Sequence, residues 1–153
     1  MPNIIVKIPE GVFGEPARKV LATGIHAAAK AVEQFGDEPM QEFLTWVVIE
    51  EVKEGYLFAG GANPLAQFIP VIVFFYPPGG VIDAAGHADT VKRMHEAVAN
   101  AKPEGDTRLV VTSVMMWDVP EGAWGANGQL WALPDFVRAA GYKHLQHLVR
   151  DAA

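Results

Sequence analysis

The chain has 153 residues, of which 50% are hydrophobic and 20% charged, and its formal net charge is -6. This length favours one domain, spanning 1–153, with a core of its own. The acidic balance, without a basic run, argues against nucleic-acid binding. The lack of cysteine excludes disulfides and thiol nucleophiles. The longest apolar stretch, 68–78, is too short to span a bilayer, and we expect a cytoplasmic protein without membrane contact.

A first β-α-β unit is predicted over residues 2–52. A β-branched, apolar strand begins directly after Pro2. Apolar residues at three- and four-residue steps predict a helix over 15–35, and a second apolar strand is predicted over 43–52. The glycine-rich, aromatic segment 55–63 predicts a small hairpin or loop.

A second unit is predicted over residues 70–117. Its elements are again a strand, a helix and a strand, over 71–76, 83–101 and 109–117. A long arm with several glycines begins at 118, and a final helix is predicted from Pro134 to Val149. The arm and this helix make up the C-terminal part, 118–153.

The two units look like copies of one another. Residues 2–11 align with 70–79 without a gap: a proline opens each strand, a second proline follows seven residues later, and a glycine follows two after that. Crossovers of this length join parallel strands. We therefore predict an α/β (α+β) fold with a four-stranded mixed sheet and both helices on one face. The other face would be bare and apolar, which favours an oligomer.

The chain resembles the tautomerase superfamily, whose 4-oxalocrotonate tautomerase-like members begin with proline and are built from β-α-β units. The segment from Phe43 to Gly61 is similar to the cis-3-chloroacrylic acid dehalogenase branch of that superfamily. The C-terminal region of that branch is similar to this chain at Asp118-Val119-Pro120 and at Gly128, eight residues after that proline. The resemblance implies a homotrimer that acts on a small molecule without a cofactor and uses an N-terminal proline.

In this chain the catalytic proline would be Pro2, exposed by removal of Met1. A free α-amino group has a pKa of about 7.7–8.0, and burial disfavours its charged form. The neutral secondary amine can then take a proton beside a carbonyl and return it elsewhere. The resemblance thus predicts a tautomerase (isomerase) acting on a small keto-enol or unsaturated carbonyl compound.

The chain departs from the dehalogenase branch at the residues that handle acids. An arginine expected about ten residues after the proline is replaced by Gly11-Val12-Phe13. Where the branch has two carboxylate-binding arginines, this chain has Tyr76 and Gly79. Ala126 stands in place of the branch's water-activating glutamate, and Met115 in place of the tyrosine that assists it. These departures argue against dehalogenation or hydration. They favour a neutral, more apolar substrate, or a carboxylate held by other residues.

Five residues are candidates for substrate binding. Tyr76 has a hydroxyl that could donate to a carbonyl, and Trp46 would line the pocket or simply pack in the core. Trp124 and Asn127, in the glycine-flanked arm, would bind substrate or form a trimer contact. His26 lies in the first predicted helix, near the position at which the dehalogenase branch carries a histidine. The alternative interpretation of His26 is a surface or interface residue without a role in binding.

Two other functions stay open on the sequence. One is a non-catalytic member of the fold that binds a ligand or partner, because a retained Met1 would make Pro2 an amide. The other is a dehalogenase, hydratase or decarboxylase relative with a different acid clamp. We expect no metal, since His87 and His95 are eight residues apart with no carboxylate at ligand spacing.

Overall fold

Four strands form one mixed sheet in the computed structural model, which describes residues 1–150. They are β1 (Asn3–Pro9), β2 (Trp46–Val52), β3 (Phe68–Tyr76) and β4 (Leu109–Met116). The order across the sheet is β2-β1-β3-β4. Strand β1 is parallel to β2, β3 is parallel to β4, and the two pairs meet antiparallel between β1 and β3. This confirms the predicted sheet of two β-α-β units.

Two long helices pack side by side on one face of the sheet. The helices are α1 (Glu15–Glu33), α2 (Pro39–Glu42), α3 (Ala84–Asn100), α4 (Leu133–Ala140) and α5 (His147–Arg150). The long ones, α1 and α3, approach closely at Gly24, where a Cβ would lie 3.0 Å from the Cβ of Ala97. The predicted pair of helices on one face is confirmed. Within residues 1–150, no helix is both long and apolar enough to cross a lipid bilayer.

The core lies between the helices and every second residue of the central strands. Side chains of a strand alternate between its faces, so one set meets the helices and the other faces away. The buried set consists of Ile4, Val6, Ile8, Ile69, Val71, Val73 and Phe75. From α1 and α3, residues such as Leu21, Ile25, Met94 and Val98 complete this core.

The internal repeat holds for the elements but not for the residue alignment. The gapless alignment places Ile4 on Ile72, yet Ile4 is fully buried and Ile72 lies on the opposite face. A shift of one residue exchanges the two faces of a strand. The buried residues of β1 and β3 therefore correspond only when the alignment is shifted from the one that matches the prolines. Pro2 precedes β1, whereas Pro70 is the third residue of β3. The two prolines are therefore not structural equivalents.

The second face of the sheet is open and largely apolar, as predicted. Trp46 is 64% exposed, and Val48, Val111 and Met115 are 44–50% exposed. Lys7 and Glu50 form an ion pair across β1 and β2 on this same face. An apolar surface of this kind is typical of a contact with another subunit.

The first β-α-β unit differs from the prediction at two ends. Helix α1 stops at Glu33, because Gln34 adopts a left-handed conformation with φ of 52°. The predicted strand start at Phe43 is wrong: Phe43 caps the short helix α2, and β2 begins at Trp46. Residues 55–63 form the predicted loop, closed by two backbone hydrogen bonds between Ala59 and Ala62.

The predicted continuous C-terminal helix from Pro134 to Val149 is wrong. Helix α4 ends at Ala140, and Gly141 follows with φ of 66° while its N–H donates to the carbonyl of Val137 at 2.9 Å. Glycine in this left-handed conformation is a common helix terminator. The chain then turns through a 3₁₀ segment, Lys143–Leu145, before α5. In the arm, β5 (Gly125–Ala126) and β6 (Gln129–Leu130) form a small hairpin.

Candidate active site at the N-terminus

The nitrogen at the start of the chain lies among buried polar side chains. The Met1 amine donates to Glu33 Oε2 at 3.3 Å and to the Tyr142 hydroxyl. The Tyr142 hydroxyl in turn donates to the same Glu33 oxygen at 3.0 Å. Glu33 and Tyr142 are fully buried, and the Met1 side chain is only 14% exposed. We name Met1, Glu33 and Tyr142 the N-terminal cluster.

Glu33 reaches this cluster because of the β-α-β connection. Strands β1 and β2 are parallel, so α1 must run back along the sheet, and its last residues lie where β1 begins. Glu33 lies four residues after Ala29 and eight after Ile25, both of which are fully buried. Residues at this spacing share one face of a helix. The carboxyl group is therefore directed into the core.

Tyr142 is brought to the cluster by the turn after α4. Gly141 ends the helix, and the Tyr142 ring then packs edge-on against Phe35, with ring centroids 5.3 Å apart. The backbone N–H of Gly36 donates to the carbonyl of Ala140 at 3.0 Å. These contacts attach the C-terminal segment to the end of α1, so residues from both ends of the chain form one site.

Burial dominates the electrostatics of the N-terminal cluster. It raises the pKa of the Glu33 carboxyl above its usual range, although the nearby amine and the Tyr142 hydroxyl act in the opposite direction. Burial likewise lowers the pKa of the N-terminal amine, against the attraction of Glu33. It also raises the pKa of Tyr142, which stays a neutral donor. Among the described residues, Glu33 Oε1 is buried without a hydrogen-bond partner.

A groove of about 470 Å³ lies on the open face beside the start of β1. Asn3, Ile5 and Tyr76 line it from the sheet, and Val119 and Trp124 line it from the arm. Asn3 and Tyr76 are direct neighbours across β1 and β3. The groove therefore begins at the residue that follows Pro2.

Four of the six sequence-predicted site residues lie around this end of the sheet. Pro2 is buried, and its carbonyl accepts a hydrogen bond of 3.1 Å from the backbone N–H of Trp46. Tyr76 and Trp124 line the same groove. The Trp124 ring also packs edge-on against Phe136, with centroids 5.4 Å apart. With Met1 in place, the Pro2 nitrogen is an amide nitrogen.

Neither of the other two predicted residues lines this groove or contacts Pro2 by a hydrogen bond. Asn127 is exposed in the turn between β5 and β6, with φ of 52°, and Gly128 follows with φ of 79°. Asn-Gly in two-residue hairpin turns is common because both positions need positive φ, which accounts for Asn127 structurally. His26 lies on α1, with Nε2 2.5 Å from Glu42, which also pairs with Lys30.

Sequence reasoning missed Glu33 and Tyr142. The available signal for Glu33 was its position, four residues after Ala29 on the apolar stripe of α1, where a charged residue needs a partner. Tyr142 carried a weaker signal, because it lies directly after a glycine that ends a helix. Among residues 1–150, no three histidine, aspartate or glutamate side chains lie close enough together to hold a metal ion. The predicted absence of a metal stays a prediction.

Comparison with known proteins identifies the fold. No family model matches the sequence, and no curated protein matches it. Among solved structures, N1, a member of the cis-3-chloroacrylic acid dehalogenase family, is 15% identical with a TM-score of 0.66, covering 97% of this chain and 96% of that chain. A wild-type fused 4-OT, a symmetric trimer, is 16% identical with a TM-score of 0.67, covering 91% and 98%.

A third similar structure is Pt0534 inactivated by 2-oxo-3-pentynoate. It is 10% identical with a TM-score of 0.64, and the match covers 84% of this chain and 94% of that chain. Identities this low establish architecture alone. They agree with the sheet order, the two helices on one face and the resemblance found in the sequence. This chain has the fold of the tautomerase superfamily.

Proposed function

We propose that the chain is a tautomerase-type isomerase that uses Pro2, freed by removal of Met1, as general base and acid. Its substrate is a small keto-enol or unsaturated carbonyl compound. The observation that supports this most strongly is the buried environment of the N-terminus, where burial lowers the pKa of the Met1 amine and where Pro2 is itself buried. A secondary amine made basic but uncharged near neutral pH is suited to moving a proton next to a carbonyl.

The groove on the open face is the proposed route to Pro2. Tyr76 would donate a hydrogen bond from its hydroxyl to a carbonyl oxygen of the substrate, and Trp124 would supply an apolar wall. Trp46, whose backbone N–H bonds to Pro2, would cover the other side of the proline. Roles for His26 and Asn127 stay predictions, because neither lines this groove.

A homotrimer is the proposed assembly. The open face exposes large apolar side chains such as Trp46 and Val48, and apolar patches of this kind mark contacts with other protein surfaces. A fused 4-OT with the same fold is a symmetric trimer. Assembly of this chain through the open face would also enclose the groove beside Tyr76.

One observation favours a second candidate function, a ligand- or partner-binding protein without catalysis. A retained Met1 amine has two hydrogen-bond partners, Glu33 and Tyr142, so it is well accommodated where it lies. In such a molecule Pro2 has no basic nitrogen. The two functions differ in the mass of the mature chain.

The first experiment is therefore an intact mass measurement on protein co-expressed with methionine aminopeptidase. The proposed enzyme lacks Met1 and converts the enol of phenylpyruvate or of its methyl ester to the ketone. Pro2→Ala loses at least a hundredfold in kcat/KM, whereas Pro103→Ala, in the turn before β4, keeps parental activity. In parallel, 2-oxo-3-pentynoate, the inactivator of Pt0534, labels the parent at Pro2. Parental turnover by Pro2→Ala, or a mature chain that keeps Met1, would refute the proposed function.

A further inference from the structure

The N-terminal cluster contains a carboxyl group that the proposed function does not yet use. Glu33 is fully buried, and its Oε1 has no hydrogen-bond partner among the described residues. Leaving a buried carboxyl oxygen unpartnered is costly, and such an atom in a native protein calls for an explanation. Its other oxygen, Oε2, is 3.3 Å from the Met1 nitrogen and is the acceptor of the Tyr142 hydroxyl.

Removal of Met1 changes what Glu33 faces. Three covalent bonds separate the nitrogens of Met1 and Pro2, so these two atoms lie within about 4 Å of each other. When Met1 leaves, the ammonium partner of Glu33 is lost, and the space that the methionine filled opens between the carboxyl and the new amine. A polar atom in the former position of the Met1 nitrogen would contact Glu33 and Tyr142 and lie beside Pro2.

We propose that Glu33 is the second proton-transfer residue of this site, and that it acts together with Pro2 on an uncharged enol or ketone. This inference depends on the proposed function. The Met1 nitrogen marks where the substrate hydroxyl binds, because both are hydrogen-bond donors and Glu33 Oε2 is an acceptor. The substrate carbon then lies toward the Pro2 nitrogen.

The reaction is a transfer of protons with no change of oxidation state. Glu33 and Pro2 share one transferable proton, and the step from enol to ketone begins with that proton on Pro2 and with the Glu33 carboxyl ionised. The enol O–H bond breaks, its proton goes to the Glu33 carboxylate, and its electron pair forms the carbonyl double bond. The electrons of the C=C bond form a C–H bond with the proton of the Pro2 ammonium. The substrate has gained and lost one proton, so it is released as its keto isomer. The proton now on Glu33 returns to the Pro2 amine and restores the starting state.

The charges around the cluster favour an uncharged substrate. The titratable groups described against Glu33 are the N-terminal amine and Tyr142, and no arginine is among them. Two lysines lie close in sequence to the cluster, Lys30 before Glu33 and Lys143 after Tyr142. Both are engaged elsewhere, because Lys30 pairs with Glu42 and Lys143 pairs with Asp37 at 2.9 Å. A substrate carboxylate would thus face the Glu33 carboxyl, with no arginine or lysine described there to bind it. An ester or a ketone avoids this repulsion.

The test uses two substrates that differ only in charge, the enols of phenylpyruvate and of methyl phenylpyruvate. With the parent protein free of Met1, we expect kcat/KM at least tenfold higher for the ester. Glu33→Gln keeps the shape of the side chain but cannot carry a proton, and we expect kcat for the ester to fall at least a hundredfold. The matched control is Glu15→Gln in the exposed first turn of the same helix, with parental kcat.

A second measurement does not depend on turnover or on the variant's kcat. The pKa of the Pro2 amine is read by NMR titration of labelled proline, and we expect it to be lower in Glu33→Gln than in the parent, because a nearby carboxylate favours the ammonium. A parental pKa in a folded Glu33→Gln protein, or a preference of the parent for the acid over the ester, overturns the inference. If Pro2→Ala is inactive while Glu33→Gln is fully active, the proposed function stands and the role of Glu33 is refuted. If Pro2→Ala is fully active, both fail.

Discussion

Tyr142→Phe removes one hydroxyl from the centre of the N-terminal cluster and leaves the rest of the residue in place. The ring contact with Phe35, at 5.3 Å between centroids, does not involve the hydroxyl and is kept. What is lost is the 3.0 Å hydrogen bond that the hydroxyl donates to Glu33, together with the bond that it accepts from the Met1 amine. Since Glu33 Oε1 has no partner among the described residues, the variant leaves this buried carboxyl with fewer hydrogen bonds still.

The expected cost follows from the burial of the group that is left behind. Removing one partner of a buried polar group costs about 1–3 kcal/mol, and the upper half of that range applies to charged acceptors. For a domain of about 150 residues, each kcal/mol lowers the melting temperature by about 2–4 °C. We therefore expect Tyr142→Phe to melt several degrees below the parent.

Thermal melting and urea unfolding at a fixed protein concentration are the assays, with Tyr56→Phe as the matched control. Tyr56 is 77% exposed, and its hydroxyl is expected to contribute little. A lower midpoint with an unchanged slope locates the effect in stability rather than in the compactness of the unfolded state. If Tyr142→Phe is as stable as Tyr56→Phe, the hydroxyl does not hold Glu33, and the geometry of the cluster is wrong.

Two further predictions concern the assembly and the acid stability of the chain. Val111→Lys, at a 44% exposed position on the open face, is expected to dissociate the proposed trimer in sedimentation experiments. The control Val91→Lys, at a 43% exposed position on α3, is expected to leave the trimer intact. A trimeric Val111→Lys protein would contradict the proposed assembly. Arg108 lowers the pKa of Asp106 from 3.8 to about 2, so the folded state favours the charged carboxylate more than the unfolded state does. Stability from this pair is present above about pH 4 and is lost as pH falls toward 2; urea midpoints of Asp106→Asn should therefore fall less steeply over that interval than those of the parent, and equal slopes would refute the pairing.

The sequence was sufficient for the sheet and its two long helices because these depend on local periodicity. The continuous apolar run of β3 and the apolar stripe of α1 are each visible within about twenty residues. The break at Gly141 was also visible as a glycine that terminates a helix, and the predicted helix ran through it. The shift between the buried positions of β1 and β3 could not be predicted from the sequence, because matching prolines do not indicate which face of a strand is buried.

The N-terminal cluster could not be read from local patterns. Glu33 and Tyr142 are 109 residues apart, and Met1 and Tyr142 are 141 apart. Their meeting depends on where α1 ends and on the turn that follows α4, and both boundaries differ from the predicted ones. Pro2 and Tyr76 were easier candidates, because the resemblance assigned a role to each position in advance. Sites built from the two ends of a chain are found from coordinates rather than from spacing.

The sheet order also makes the two outer strands unequal. Strands β2 and β4 form the edges, and an edge strand offers unpaired backbone groups to any other strand that approaches. Strand β2 carries Glu50 and Glu51, whose charges discourage such pairing, whereas β4 has no charged residue from Leu109 to Met116. An isolated subunit of the proposed trimer would thus be most exposed to aggregation along β4. Val111→Lys would both open the proposed assembly and place a charge on that edge strand, so Val111 is the position at which a monomeric variant is best sought.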